Sequence, residues 1–378
     1  MNRKKMMGLL GVLALCLMCL WAAGGDAKAA DQGETAKKKI SYDAALRKYF
    51  KNRREYLGKS KHCYYTYAKN IYGNRKNGLV IVGLQESVKE IRIPQKIKGK
   101  KVIAIYLIPL STISDDYREL LSLRAKSKTK SIVIPRYVDD ISDDSIDQGH
   151  FLINLKKFKV SPKNRYFSSK SGVLFSKNGK ILLNYPNKRK VSKYRIPKGV
   201  THVSDKGFQD AYVGQVFMPD TVKVIDAGTF NYSHIKKISL PKNLSCIESY
   251  AFVGSDIQEI VIPGKVKEIP SFCFHSCKKL ETVTIKKGVK KIGKYAFVYC
   301  YNLRKVIITS SVKKIEDPFS VDRLWFTETY DGIDYVAMNE EAWRNAGVTI
   351  YAKKASYAYR KISKSSWAET LGIKVKTM

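Results

Sequence analysis

Six phenylalanines, Phe208, Phe230, Phe252, Phe274, Phe297 and Phe319, follow one another at steps of 22, 22, 22, 23 and 22 residues. A period of this length belongs to chains that wind into stacked, equivalent coils, because so short a unit buries its apolar side chains only against its neighbours. Each phenylalanine closes one apolar pattern. Leu280, Val283, Ile285, Val289, Ile292 and Phe297 recur as Leu303, Val306, Ile308, Val312, Ile315 and Phe319, and earlier as Ile257, Ile260, Ile262, Val266, Ile269 and Phe274. The same offsets run upstream to Val191. Ile260 and Ile262 flank Val261 in the alternation of a short extended strand, so strands of successive coils are expected to pair in parallel.

Pro94, Pro135, Pro197, Pro219, Pro241 and Pro263 follow these strands. Lacking a ladder donor and holding the preceding residue extended, proline ends each strand. The valine-to-isoleucine segment reads as a second short strand, and the phenylalanine falls in the turn that returns the chain. This order, with Tyr295-Ala296-Phe297-Val298-Tyr299-Cys300 and Tyr250-Ala251-Phe252 as its clearest turns, resembles the BspA-like, treponemal class of bacterial leucine-rich repeats over about residues 64 to 325. The resemblance implies a leucine-rich-repeat solenoid: a parallel β ladder, short second strands, turn or helical returns, and capped ends. It also implies a surface or secreted, non-enzymatic binding protein of the adhesin kind. Two departures stand out. The repeats before Val191 are degenerate, with Ile146 in a phenylalanine position, and Val173-Leu174-Phe175 with Ile181-Leu182-Leu183 reads as a hairpin inserted at about 161–190.

The remaining segments read as caps and leader. Arg3, Lys4 and Lys5 before an apolar run from Met6 to Trp21, then Ala27-Lys28-Ala29, suggest a cleaved export signal over residues 1–29, with export to the surface or exterior of a bacterium. Cys16 and Cys19 raise a lipoprotein alternative, but Leu15 and Met18 stand where a small residue would precede the lipidated cysteine. No second apolar stretch follows, so no transmembrane segment is expected in the mature chain. Residues 30–63 read as a polar linker and a basic helix, Tyr42 to Leu57; Tyr64 to Leu84 reads as a starting hairpin turning near Asn77-Gly78. Residues 326–378 read as a C-terminal cap, with a helix over Ser356 to Leu371 and a strand over Gly372 to Val375 covering the last phenylalanine.

Charge bears on partners. The whole chain carries +37; removing residues 1–29 takes away four Lys/Arg and Asp26, leaving 66 basic against 32 acidic residues, or +34. Extracellular polyanions such as teichoic acids and sulfated glycans fit this balance, and so does a surface kept soluble by lysine. Five cysteines remain, Cys63, Cys246, Cys273, Cys277 and Cys300. Cys277 and Cys300 share one repeat position, and Cys273 stands where Ala251 and Ala296 stand, so these three read as small buried column residues rather than zinc ligands.

Two surfaces are candidate sites. On the concave face, strand residues pointing out of the core form one column of Arg92, Val133, Lys159, Arg195, Phe217, Ser239, Val261, Thr284 and Ile307, beside a second that includes Lys237. Arg92, Lys159, Arg195, Phe217, Lys237, Val261 and Ile307 are its candidate residues for binding a protein or glycan on a host or microbial surface, with ordinary strand propensity as the competing explanation. On the second strand, Lys223, Lys267, Lys290 and Lys313, flanked by Lys291 and Lys314, form a stripe suited to an anionic cell-wall polymer, or to keeping the surface soluble. Asp139, Asp140, Asp143, Asp144 and Asp147 lack the glycine spacing of a calcium loop. The five histidines share no ligand spacing, and no hydrolase, phosphate-binding or metalloprotease motif occurs, so no metal, cofactor or catalytic residue is expected. Hydrolytic activity dependent on Glu340 or Glu341 is the enzymatic alternative. The aromatics track the strands and give no specific nucleic-acid signature.

Overall fold

The structure, a computed structural model, describes residues 42–72, 77–84, 88–107, 128–141, 154–319 and 347–378. Successive coils stack as the period requires, and the chain forms a parallel β-solenoid. The strands Val191–Arg195, Val213–Phe217, Lys237–Ser239, Glu259–Ile262, Thr282–Ile285 and Lys305–Ile308 pair in parallel, each with the next. A second ladder of two-residue strands runs through His202–Val203, Val224–Ile225 and Cys246–Ile247, and a third through Glu268–Ile269, Lys291–Ile292 and Lys314–Ile315. Upstream, Glu90–Arg92, Ser131–Ile134 and Lys157–Val160 form a separate three-stranded ladder.

Between the ladders lies the phenylalanine column. All six rings are buried, and neighbouring centroids stand 5.2, 4.9, 5.0, 5.6 and 5.6 Å apart in stacked pairs. Stacked pairs of this kind add about 0.5 to 1.5 kcal/mol beyond the area they bury. The turns that carry the rings are stitched from coil to coil: Phe230 N donates to Ala251 O (2.8 Å), Phe252 N to Cys273 O (2.9 Å) and Phe274 N to Ala296 O (2.8 Å). After the first four strands of the first ladder the proline carbonyl accepts from the residue three further on, as in Val222 N to Pro219 O (3.0 Å) and Val266 N to Pro263 O (3.1 Å). Proline thus ends the strand and opens the turn to the second one.

The buried thiols have a defined place. Cys277 Sγ donates to Phe252 O and Cys300 Sγ to Phe274 O, each at 3.0 Å. Burial pushes the Cys273 and Cys300 thiols well above the usual range. Cys63 is also buried, its thiol pushed up to about 12.

One pair of turns comes into backbone contact. A Cβ built on Gly264 would fall far inside van der Waals distance of the Lys287 carbonyl, and Gly288, at φ +120, faces Gly264 in turn. Because the obstacle is backbone, Gly264→Ala must spread two coils, with an expected cost of about 1 to 3 kcal/mol in denaturant unfolding. An unchanged midpoint would mean that the turns separate freely.

Several expected boundaries move. The N-terminal helix spans Tyr42–Asn52, not Tyr42 to Leu57, and Arg54 follows at a left-handed φ of 55. Gly58–Ser60 then pairs antiparallel with Cys63–Tyr67, so the capping sheet begins inside the expected linker. Cys63–Tyr67 and Leu79–Leu84 do form the starting hairpin, but a short helix, Ala68–Tyr72, stands between its strands in place of a tight turn. Leu46 and Phe50 cover this sheet by packing with Tyr64, Val80 and Val82.

The inserted hairpin is a three-stranded meander, Phe167–Lys170, Val173–Ser176 and Ile181–Asn184, and its last strand pairs in parallel with His202–Val203. It founds the second ladder instead of hanging from the solenoid. At the C-terminal end, the single expected helix is two, Tyr357–Ser363 and Ser366–Thr370. The serine hydroxyls explain the break: Ser363 Oγ donates to Tyr359 O (2.7 Å) and Ser365 Oγ to Ile362 O (2.8 Å), taking carbonyls that helical N–H groups would otherwise meet. The second helix brings Trp367 within 5.6 Å of Phe319, closing the column. The closing strand is Lys374–Thr377, after Gly372 at φ 63.

Candidate ligand-binding surface

Strand alternation turns every second side chain of the first ladder to solvent, and parallel register aligns those side chains in rows. Arg195 pairs with Phe217 and Phe217 with Ser239; Val261 pairs with Thr284 and Thr284 with Ile307. Lys237 stands in register with Gln215 and Glu259 in the neighbouring row and is exposed. Val261, at 47% exposure, is the most open apolar residue of this face among the described residues, whereas Phe217 and Ile307 are only half-buried. The Arg195 guanidinium lies over the Phe217 ring at 4.1 Å, so these two act as one unit.

The structure breaks the expected single column in two. Arg92, Val133 and Lys159 are mutually in register, but in the upstream ladder. The meander takes up that ladder's open edge, with Phe158 N donating to Gly172 O at 2.8 Å, so Lys159 and Arg195 do not sit on neighbouring strands. Both upstream cations converge on one carboxylate. Lys159 Nζ is 2.5 Å from Glu90 Oε2, Ser131 Oγ donates to the same oxygen at 2.9 Å, and Arg92 pairs with the other. The Lys159 hydrogen bond, with that of Ser131, holds the Glu90 carboxyl below its ordinary range.

The surface also extends beyond Ile307. The strand Thr349–Ala352 joins the ladder directly, pairing Ile307 with Tyr351 and Lys305 with Thr349, and Lys374–Thr377 adds Lys376 and Lys374. Lys305 Nζ stands 5.3 Å from the Tyr351 ring centroid. Sequence reasoning missed Tyr351 because it lies 44 positions after Ile307, two periods, with no recognisable repeat between.

On the second strand, Lys223, Lys267, Lys290 and Lys313 are exposed in the expected stripe. Lys291 and Lys314 differ from them. Lys291 Nζ bridges Glu268 (2.8 Å) and Glu316 (3.1 Å), and Lys314 pairs with Glu316 at 2.5 Å. Hydrogen bonds from Lys314 and Lys291 hold the Glu316 carboxyl below its ordinary range despite partial burial. His202 and His234 each meet a carboxylate, Asp226 at 2.7 Å and Asp256 at 3.1 Å. No cluster of His, Cys, Asp or Glu able to hold a metal occurs among the described residues. Residues 1–29, Asp143, Asp144, Asp147, Ile146, Glu340 and Glu341 lie outside the described residues.

Residues 187–319 match the model of the BspA type leucine rich repeat region in six copies. That part of the solenoid is therefore built of BspA-type leucine-rich repeats. The match begins where the period becomes strict; the coils before it keep the strands without the motif.

Among solved structures, a leucine-rich repeat protein from Eubacterium ventriosum is 19% identical at a TM-score of 0.47, over 65% of this chain and 67% of that one. The pneumococcal vaccine antigen PcpA is 15% identical at 0.41, over 86% and 99%, and a leucine rich cell surface protein from Faecalibacterium prausnitzii is 18% identical at 0.39, over 70% and 73%. Likeness at this level says nothing about partner or activity. No curated protein matches the chain. Among the described residues no helix is long and apolar enough to cross a membrane. Rows of outward side chains on a stacked scaffold fit a binding role.

Proposed function

We propose that this is an exported, non-enzymatic binding protein of the bacterial surface or exterior, which recognises a protein or glycan on a host or microbial surface through the solvent face of its first ladder. The observation that carries the reading is the run Val261, Thr284, Ile307 and Tyr351 on adjacent strands, a row apolar but for Thr284, with Lys237, Lys305 and Lys374 in the row beside it. The BspA-type repeats support a binding role, and the apolar run after Arg3, Lys4 and Lys5 supports export. Because backbone ladders hold the face in shape before a partner arrives, association loses little ordering entropy. Tyr351, beside Ile307, adds the kind of aromatic side chain in which binding energy concentrates.

Val261→Asp and Tyr351→Ala are each expected to weaken capture of the partner by about 2 kcal/mol or more, roughly thirtyfold. Their melting should stay within about 0.5 kcal/mol of the parent, as for other surface substitutions. The measurement is titration of the chain against immobilised mucin and matrix proteins. Parent-like binding by both variants would remove this face from consideration.

A further inference from the structure

The lysine row of the second strand is longer and less neutralised than its spacing in the sequence implies. Its members are placed by backbone bonds to the coil before: Thr201 N donates to Lys180 O (2.8 Å), Lys223 N to Thr201 O (2.9 Å) and Ser245 N to Lys223 O (3.0 Å). Lys267, where the second ladder gives way to the third, is placed by position instead, following Val266 as Ser245 follows Leu244; Lys290 N then donates to Lys267 O and Lys313 N to Lys290 O, each at 2.7 Å. Lys180, contributed by the meander, is thus the first member.

All five lysines are exposed, none of their ammonium groups joins an ion pair among the described residues, and no carboxylate interrupts the row. Each of the other cationic rows contains or adjoins a carboxylate. Glu90 holds Arg92 and Lys159, Glu259 stands among Lys193, Lys237 and Lys305, and Glu268 and Glu316 hold Lys291 and Lys314. Of the acids beside the lysine row, Asp226 is engaged by His202, and Glu248 adds one opposing charge.

Neighbouring strands lie about 4.8 Å apart, so Lys267, Lys290 and Lys313 repeat their charge at that interval and the earlier lysines at about twice it. Like charges held in line on a rigid backbone are relieved best by a linear counter-charge. The row contains lysine and no arginine, hence point charges that meet a tetrahedral anion without fixing its orientation. The adjoining positions His202, Val224, Cys246 and Glu268 offer no ladder of aromatic faces on which bases could stack. We infer that Lys180, Lys223, Lys267, Lys290 and Lys313 form a track for a linear, non-nucleic polyanion bearing one phosphate or sulfate ester per repeat unit. The track is separate from the face assigned above, and either assignment stands if the other fails.

The test titrates the full chain with glycerol-phosphate polymer, a sulfated glycan and single-stranded DNA between about 50 and 200 mM salt. Lys267→Gln with Lys290→Gln and Lys313→Gln should flatten the log affinity against log salt slope by about 2 to 3 and weaken binding on the order of tenfold at the lower salt. Lys198→Gln with Lys286→Gln and Lys354→Gln removes the same charge from exposed positions elsewhere and should leave the slope in place. Arginine at the three track positions should restore it. The tighter of the two esters identifies the source, and either supports the track. Equal loss in both triple variants, no binding at low salt, or tightest binding to DNA would overturn it; unchanged melting shows that the variants are folded.

Discussion

Replacing Phe252 with alanine is expected to destabilise the protein by about 3 to 5 kcal/mol, because it empties the middle of a column that cannot collapse around the gap. The ring is fully buried and stacked between Phe230 at 4.9 Å and Phe274 at 5.0 Å. Those neighbours are anchored by their own backbone bonds to Ala251 O and Ala296 O, so they stay in place and leave the cavity open. Since each coil is stabilised by the coils on either side, the damage should spread. Amide exchange would then quicken in both flanking coils, while the meander and the N-terminal sheet keep their protection. Denaturant unfolding checks the size of the loss; a change under about 1 kcal/mol would mean that the column contributes far less than its burial implies.

The second large effect is on the pH dependence of stability. His275 lies among Phe272 and Tyr299, with ring centroids at 5.9 and 5.1 Å, and burial pushes its imidazole down from 6.5 to about 4. A folded-state value below the unfolded one means that the unfolded chain binds the proton more readily, so stability rises with pH across this window. The contribution is complete above about pH 6.5 and is lost as pH falls through about 4, at most about 3 kcal/mol in all. Carboxylates held low in the folded state, Glu90 and Glu316 among them, lose their own contributions as pH falls from the ordinary carboxylate range through their lowered values. His275→Gln, which carries no titrating group, is therefore expected to flatten unfolding free energy between pH 4 and 6.5 relative to the parent. Parallel curves would show that His275 takes up its proton without unfolding.

Much of this architecture was legible because apolar spacing is a local property repeated many times. Leu280, Val283 and Ile285 specify one face of a strand wherever they occur, and six consecutive copies leave little freedom in register. The thiols of Cys277 and Cys300 were placed by the same logic, since equal offsets from a phenylalanine mean one position in the stack. Legibility failed where the repeat motif failed. Tyr185, which stacks on Phe208 at 5.2 Å, stands 23 residues before it and so keeps the period, but with tyrosine in place of phenylalanine; Trp367, which meets Phe319, lies off the period, and the two extend the aromatic column at both ends. Tyr351, two periods after Ile307, and Lys180 likewise stand where no repeat motif marks them.

From the sequence alone come the winding of the chain, the parallel pairing of its strands and the identity of the buried column, because each depends on side-chain spacing within a coil and its neighbour. The folded structure alone decides which surface cations remain available. Lys290 and Lys291 are adjacent in the chain and equal in composition, but only Lys291 lies between Glu268 and Glu316. That difference arises from residues of three separate coils brought within bonding distance, and spacing along one strand does not carry it.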